Sequence, residues 1–286
     1  MVTRRFLTTI ALAALGVFFL VFGLLGQSVE TGSDPAAFAV RAFEAIGAPG
    51  ASAAVRSAGT AGSARSDGFA GRSSGPFPIA SVTKPITAVA VMQLVDRGEI
   101  DLDDPVSRLL PAAPSQAAAA SITVRQLLAH TSGISTRAGL VYTSEDVRTG
   151  EAFSALTLRG EPGGEHEYSN LNYRILGVIV EEVTGRALSE YLQAEIFAPA
   201  GMTRTMAYDT ATEPVPGYTQ VFGLPVRYFW ESGMDELASG GLLSTEDDML
   251  AFADSLLAAY EGDRQPLGVD RRLIEEMWST QVAVSE

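Results

Sequence analysis

The sequence predicts an α+β fold behind an N-terminal membrane-spanning helix, and three stretches carry that expectation. Residues 86–94 (Ile-Thr-Ala-Val-Ala-Val-Met-Gln-Leu) are apolar on most faces of a helix and read as one buried nearly all round. Residues 50–56 and 64–70 read as two short strands joined by a Gly/Ser turn, a hairpin. Residues 6–25 contain no charge and follow Arg4-Arg5. A helix of that length spans about 30 Å, the thickness of a bilayer's hydrocarbon core. The chain of 286 residues thus divides into segment 1–26, a short polar linker 27–35 and a domain over 36–286. That domain is long enough to bury a sizeable core.

The arginine pair would stay on the cytoplasmic side, so the remainder faces outward. A secretory signal has a shorter apolar region, about 7–15 residues, which favours an uncleaved anchor in the cell membrane. The alternative is cleavage near Gly26-Gln27-Ser28, which would secrete the domain.

Composition narrows the function classes. A formal net charge of −14 leaves no basic patch to track phosphates, which argues against a nucleic-acid partner. The chain has no cysteine, hence no disulfide and no thiolate metal site. With His130 and His166 the only histidines, a histidine-rich metal site is not expected either. Of the 20 Lys and Arg residues, only Lys84 is a lysine. Arginine serves equally well for surface charge but does not deprotonate in proteins. A single retained lysine therefore suggests a position that needs an amine.

Taken in order, residues 36–46 form an amphipathic helix closed by Gly47 and Pro49. The buried helix at 86–94 follows, ending at Arg97-Gly98. Residues 101–111 are an acidic loop with a helix start at Asp104-Pro105, and 111–120 an Ala/Pro-rich surface excursion. Thr123 and Gln126 have capping-box spacing and open a short helix that runs to His130-Thr131-Ser132-Gly133. His130, a lone histidine at a helix end, reads as structural rather than as a base. Helices follow at 151–158, 171–183 and 186–197. Residues 214–230 are punctuated by Pro and Gly and rich in aromatics, either a pocket rim or ordinary loop packing. Residues 238–245 are a small-residue turn, Thr245 caps a helix over 246–260, and a last helix covers 269–278.

The chemistry concentrates at Ser81-Val82-Thr83-Lys84. Ser81 would open the buried helix and Lys84 would sit one turn on, on the same face. A hydroxyl is a poor nucleophile until a neighbouring base takes its proton, and an amine desolvated in a pocket can do so. Downstream, Tyr168-Ser169-Asn170 leads into the helix at 171–183. Asn170 there has the residue type and place of an N-cap.

These two runs resemble the Ser-x-x-Lys and Tyr-x-Asn motifs of the serine β-lactamase and penicillin-binding-protein superfamily. The likeness is to the branch of class C β-lactamases, D-alanyl-D-alanine carboxypeptidases and related esterases. Residues 127–133 (Leu-Leu-Ala-His-Thr-Ser-Gly) and 240–245 (Gly-Gly-Leu-Leu-Ser-Thr) resemble two further runs of that branch, all in the expected order over 36–280. The resemblance implies a β-lactamase/transpeptidase-like fold, with a helical region against an antiparallel sheet. It implies that Ser81 attacks a carbonyl and forms an acyl-enzyme, that Lys84 and Tyr168 share the proton handling, and that Asn170 contacts the substrate and helps hold Lys84. It implies no metal and no organic cofactor. The substrate would be a small peptide, β-lactam or ester.

The chain departs from the pattern in one respect. The family's third motif, Lys-Thr-Gly or His-x-Gly, lies on a strand that supplies an oxyanion-hole donor, and no such run follows Tyr168. The last three strands of the family's sheet are therefore expected to be missing, leaving the two N-terminal ones. Two readings stand: a membrane-anchored extracytoplasmic serine hydrolase, or an inactive member that binds cell-wall peptide or a partner. A non-functional fragment is the remaining possibility.

Overall fold

A computed structural model describes residues 37–39, 41–42, 49–57, 60–66, 75–113, 121–208, 214–221, 224–228 and 236–281. The predicted anchor and linker, and the excursion at 114–120, lie outside the described residues, as do Phe222, Phe229 and Trp230 of the aromatic stretch. Among the described residues no helix is long and apolar enough to cross a membrane.

The sequence's apolar runs pair off into a helical body with short strands beside it. The strands are β1 (Ala51–Ser57), β2 (Thr60–Ser66), β3 (Phe77–Pro78), β4 (Met206–Ala207), β5 (Gly217–Val221), β6 (Leu224–Tyr228) and β7 (Leu242–Ser244). The helices are α1 (Thr83–Asp96), α2 (Val106–Leu109), α3 (Val124–Leu128), α4 (Ala138–Val141), α5 (Ser144–Thr149), α6 (Glu151–Ala155), α7 (Asn170–Thr184), α8 (Leu188–Leu192), α9 (Glu246–Glu261) and α10 (Arg271–Trp278). β1 and β2 form the predicted hairpin, with Ser57 paired to Thr60, so the second strand starts four residues before the expected 64. Thr-Ala-Gly-Ser-Ala-Arg-Ser has no apolar alternation to mark it, and partner pairing sets its register.

In the sheet that borders the site, β7 is the middle strand, antiparallel to both β3 and β4. The predicted turn at 238–245 is thus corrected: residues 242–244 are a strand, buried throughout and paired on both edges. The expected helix at 186–197 is α8 followed by a π-helical turn over Gln193–Phe197. α4 and α5 have no counterpart in the sequence reading; each is under two turns, too short for helical periodicity to show. The capping box at Thr123/Gln126 and the cap at Thr245 form as read.

α1 and α7 cross at the centre. Ile86, Val89, Ala90, Val91 and Leu94 are sealed from solvent, as are Leu171, Leu176, Ile179 and Val180 on α7. α1 has almost no polar face, because α7, the π-helical turn and α10 all pack on it. Gly177 lets α7 approach the 236–241 turn. A Cβ there would lie 2.6 Å from the Ala238 Cβ and 3.1 Å from Leu188 Cδ2. Gly177→Ala is therefore expected to destabilise the protein. Overpacking costs about 1–3 kcal/mol, while the helix gains at most about 1 kcal/mol of propensity. Urea unfolding with wild type as reference measures the difference.

Candidate active site

Ser81 sits in a tight 3-10 turn, Ala80–Val82, that leads straight into α1, a turn earlier than a simple helix start. Ala80 adopts φ +45°, a left-handed conformation that costs energy in a residue with a Cβ. It is pinned on both sides: Ile79 N–H donates to Leu242 O of β7 (3.0 Å), and Val82 N–H to Ile79 O (3.0 Å). The turn leaves Ser81 exposed at the surface while Lys84, three residues on, is buried, with 5% of its surface accessible.

The Lys84 amine has three partners. Its Nζ lies 2.6 Å from Ser239 O, 2.9 Å from Asn170 Oδ1 and 3.2 Å from Ser81 Oγ. The first two can only accept. A neutral amine that keeps its two hydrogens on them has its lone pair left for Ser81, whose hydroxyl can donate. Ser81 Oγ is also 2.7 Å from Tyr168 OH. The four residues singled out in the sequence thus meet at one point. The Lys84 pKa falls from 10.5 to about 8, first because burial disfavours the ammonium, then because Arg174 repels it, with Glu236 opposing.

Tyr168 is half exposed and its backbone is fixed by Thr136, whose hydroxyl donates to Tyr168 O (2.6 Å). Asn170 is the first residue of α7 rather than its cap; Ser169 holds the cap position, and its hydroxyl donates to Ser135 O instead (2.9 Å). Asn170 Oδ1 is turned to Lys84, a partner an N-cap would have to forgo. Gly139 makes room for this junction, since a Cβ on it would lie 2.6 Å from Asn170 N.

His130 supports the site from below. Its Nδ1 accepts from Ser169 N–H (3.3 Å) and from the Asn172 amide (3.0 Å), which places the ring proton on Nε2. Its ring lies 4.6 Å from that of Tyr168. Burial, then the charges of Lys84 and His166, push its pKa down to about 4, so it is neutral at physiological pH. This is the structural role expected from the sequence.

Several contributors were not legible beforehand. Ser239 acts through its carbonyl, and nothing in a run of small residues says which carbonyl faces inward. Tyr173 lies with its ring 5.5 Å from Lys84 Nζ, and Arg174 and Glu236 bear on the same amine. The signal for Tyr173 and Arg174 was available: they stand three and four residues after Asn170, on one helix face. No group of three or more metal-ligating side chains occurs among the described residues.

A family model for β-lactamase matches residues 39–285, and the chain belongs to that family. A Bacillus subtilis (strain 168) relative named for penicillin binding, PbpX, is 31% identical over 186 residues, 63% of this chain and 46% of its own. The protein flp of Staphylococcus aureus (strain N315) is 32% identical over 190 residues, 60% of this chain and 36% of its own. The chain thus spans less than half the length of these relatives. Among solved structures, the D-amino acid amidase of Ochrobactrum anthropi SV3 is 29% identical with a TM-score of 0.68, covering 83% of this chain and 71% of that one. The octameric penicillin-binding protein homologue from Pyrococcus abyssi is 27% identical with a TM-score of 0.71, covering 87% and 60%. The fold is the α+β fold of this family.

A proton acceptor at Lys84 would give any attack by Ser81 a pH dependence. Only neutral Lys84 accepts a proton, and its population rises with pH up to its pKa. Labelling of Ser81 by a fluorophosphonate is therefore expected to quicken about tenfold per pH unit on the acid side and to level off above about pH 8. Intact-mass time courses across that range check it.

Proposed function

We propose that the chain is a serine hydrolase that opens amide or ester carbonyls through a Ser81 acyl-enzyme. The observation that carries the reading is the position of Ser81 Oγ, within hydrogen-bond reach of both Lys84 Nζ and Tyr168 OH. Ser81 Oγ attacks the carbonyl carbon while its proton passes to Lys84, directly or by way of Tyr168. Collapse of the tetrahedral intermediate breaks the C–N or C–O bond, and the leaving group takes a proton from Tyr168, which recovers one from the Lys84 ammonium. Water then attacks the acyl-enzyme with the same groups acting in reverse. Asn170, whose Oδ1 is held by Lys84, has its amide N–H groups left to donate to the substrate.

For the substrate, the relatives favour small amides and peptides with a D-configured residue. One is named for penicillin binding, and two neighbours are a D-amino acid amidase and a D-stereospecific amidohydrolase from Streptomyces. The segment 1–26 would hold the domain of residues 36–286 at the outer face of the cell membrane through the linker 27–35.

The test is intact mass of the full chain, in mild detergent, after exposure to a labelled penicillin, with D- and L-phenylalanine amide hydrolysis in parallel. An adduct on wild type that is absent in Ser81→Ala supports the reading. A folded wild type that forms no adduct and cleaves neither amide contradicts it. Lys84→Met is expected to slow acylation about 10²–10⁴-fold, the usual weight of a general base. Tyr168→Phe, which deletes the other proton partner, is expected to slow it too, and the same assay measures both.

A further inference from the structure

We propose that Arg174 and Glu236, which lie away from Ser81, are a pair of positioning residues: they brace the turn that grips Lys84 and set the electric field at its amine. The functional consequence rests on the hydrolase reading above; the existence of the device does not.

The connection can be followed bond by bond. Arg174 stands one turn after Asn170 on α7. Its guanidinium is buried, with 6% of the side chain accessible. Nη1 donates to Gly139 O (2.8 Å) and Tyr142 O (2.5 Å), and Nη2 donates to Glu236 Oε1 (2.8 Å). Nε has no hydrogen-bond partner among the described residues. Glu236 in turn holds the loop with its backbone: its carbonyl accepts from the N–H groups of Ser239 (2.9 Å), Gly240 (2.8 Å) and Gly241 (2.9 Å). That loop presents Ser239 O to Lys84 (2.6 Å) and Ala238 O to Thr87 (2.8 Å), both on α1. One residue therefore anchors a helix through its carboxylate and the lysine-gripping turn through its carbonyl.

The two charges oppose each other at Lys84. Arg174 disfavours the ammonium and Glu236 favours it. Other groups around the amine come from each packed element. The α7 junction gives Tyr168 and Tyr173, whose rings lie 4.8 and 5.5 Å from Nζ, and the segment after α3 gives His130 with His166 beyond it. Glu195 of the π-helical turn pairs with Arg97 and Arg186, and on α10 Arg271 pairs with Glu275 and Glu276 with Arg125, so each of these charges has its own partner away from Lys84. Arg174 is mostly sheltered while the Glu236 side chain is 37% accessible, so water screens the carboxylate more than the guanidinium. The net field pushes the proton off Lys84.

An ordinary structural ion pair would behave differently. Cutting it from either side would loosen the same turn and change Lys84 in the same sense. A field effect changes sign with the residue removed. Arg174→Gln should raise the Lys84 pKa, whereas Glu236→Gln, which deletes the opposing charge and leaves the arginine uncompensated, should lower it.

Because Lys84 is the only lysine, isotopically labelled lysine yields one side-chain resonance in the full chain. Its pH titration by NMR reads the amine without requiring turnover. The expected result is an upward shift of more than a few tenths of a pH unit for Arg174→Gln and a downward one for Glu236→Gln. The acid limb of penicillin acylation should move in parallel. Unchanged titrations, or shifts of the same sign, overturn the proposal. Should Arg174→Gln fail to fold, Glu236→Gln decides alone: a downward shift supports the proposal, and no shift or an upward one refutes it. Opposite shifts in a protein that penicillin never acylates and that cleaves neither phenylalanine amide would leave the device standing and remove the hydrolase reading.

Discussion

A single ammonium group buried among fixed oxygens constrains this molecule more than any other interaction. Lys84 is drawn out of water by the packing of α1 against α7, and two of its three hydrogens are taken by oxygens that cannot donate back. Its fall from 10.5 to about 8 corresponds to roughly 3 kcal/mol against the charged form. The sign is instructive. A lysine whose folded pKa is depressed weighs on the folded state below about pH 8, and the cost vanishes above 10.5, where both states are neutral. The protein thus carries a lysine that lowers its stability at neutral pH. The return is an amine that yields its proton near physiological pH, with its lone pair left for a surface serine.

Much of the surrounding architecture follows from keeping that amine in place. The strained Ala80 lifts Ser81 out to solvent while β7 ties its neighbour Ile79 down. Close approaches at Gly139 and Gly177 bring the start of α7 and the 236–241 turn within reach of α1. His130, neutral and stacked beneath Tyr168, connects the segment after α3 to the helix start through Ser169 and Asn172. Each contact lies between elements far apart in sequence, so the site forms only when the helical body is assembled. A long-range origin of this kind is common where function demands a costly local state.

The parts legible in the sequence were those written in local patterns. The apolar run of α1, the capping box at Thr123, the cap at Thr245 and the length of α7 all depend on residues within a turn or two of each other. Ser81, Lys84, Tyr168 and Asn170 were found because the motifs are compact and the lysine has no rival in the chain. What escaped was settled by distant partners. The start of β2 is fixed by β1, and β7 is a strand because β3 and β4 flank it. Asn170 holds Lys84 as the resemblance implied, while the cap position that its residue type also fits falls to Ser169. Ser239 contributes a carbonyl that every residue type possesses, so no side-chain pattern could reveal it.

The claim at the centre of this account is that one neutral amine, held by Asn170 and Ser239, faces the oxygen that attacks. A crystal structure of the full chain with a phenylboronic acid tests it most directly, since boron adopts a tetrahedral geometry on an activated serine. The account predicts boron bonded to Ser81 Oγ, with Lys84 Nζ still within hydrogen-bond distance of Asn170 Oδ1, Ser239 O and Ser81 Oγ. An unmodified Ser81, or a Lys84 turned away from Ser239 toward solvent, would contradict it.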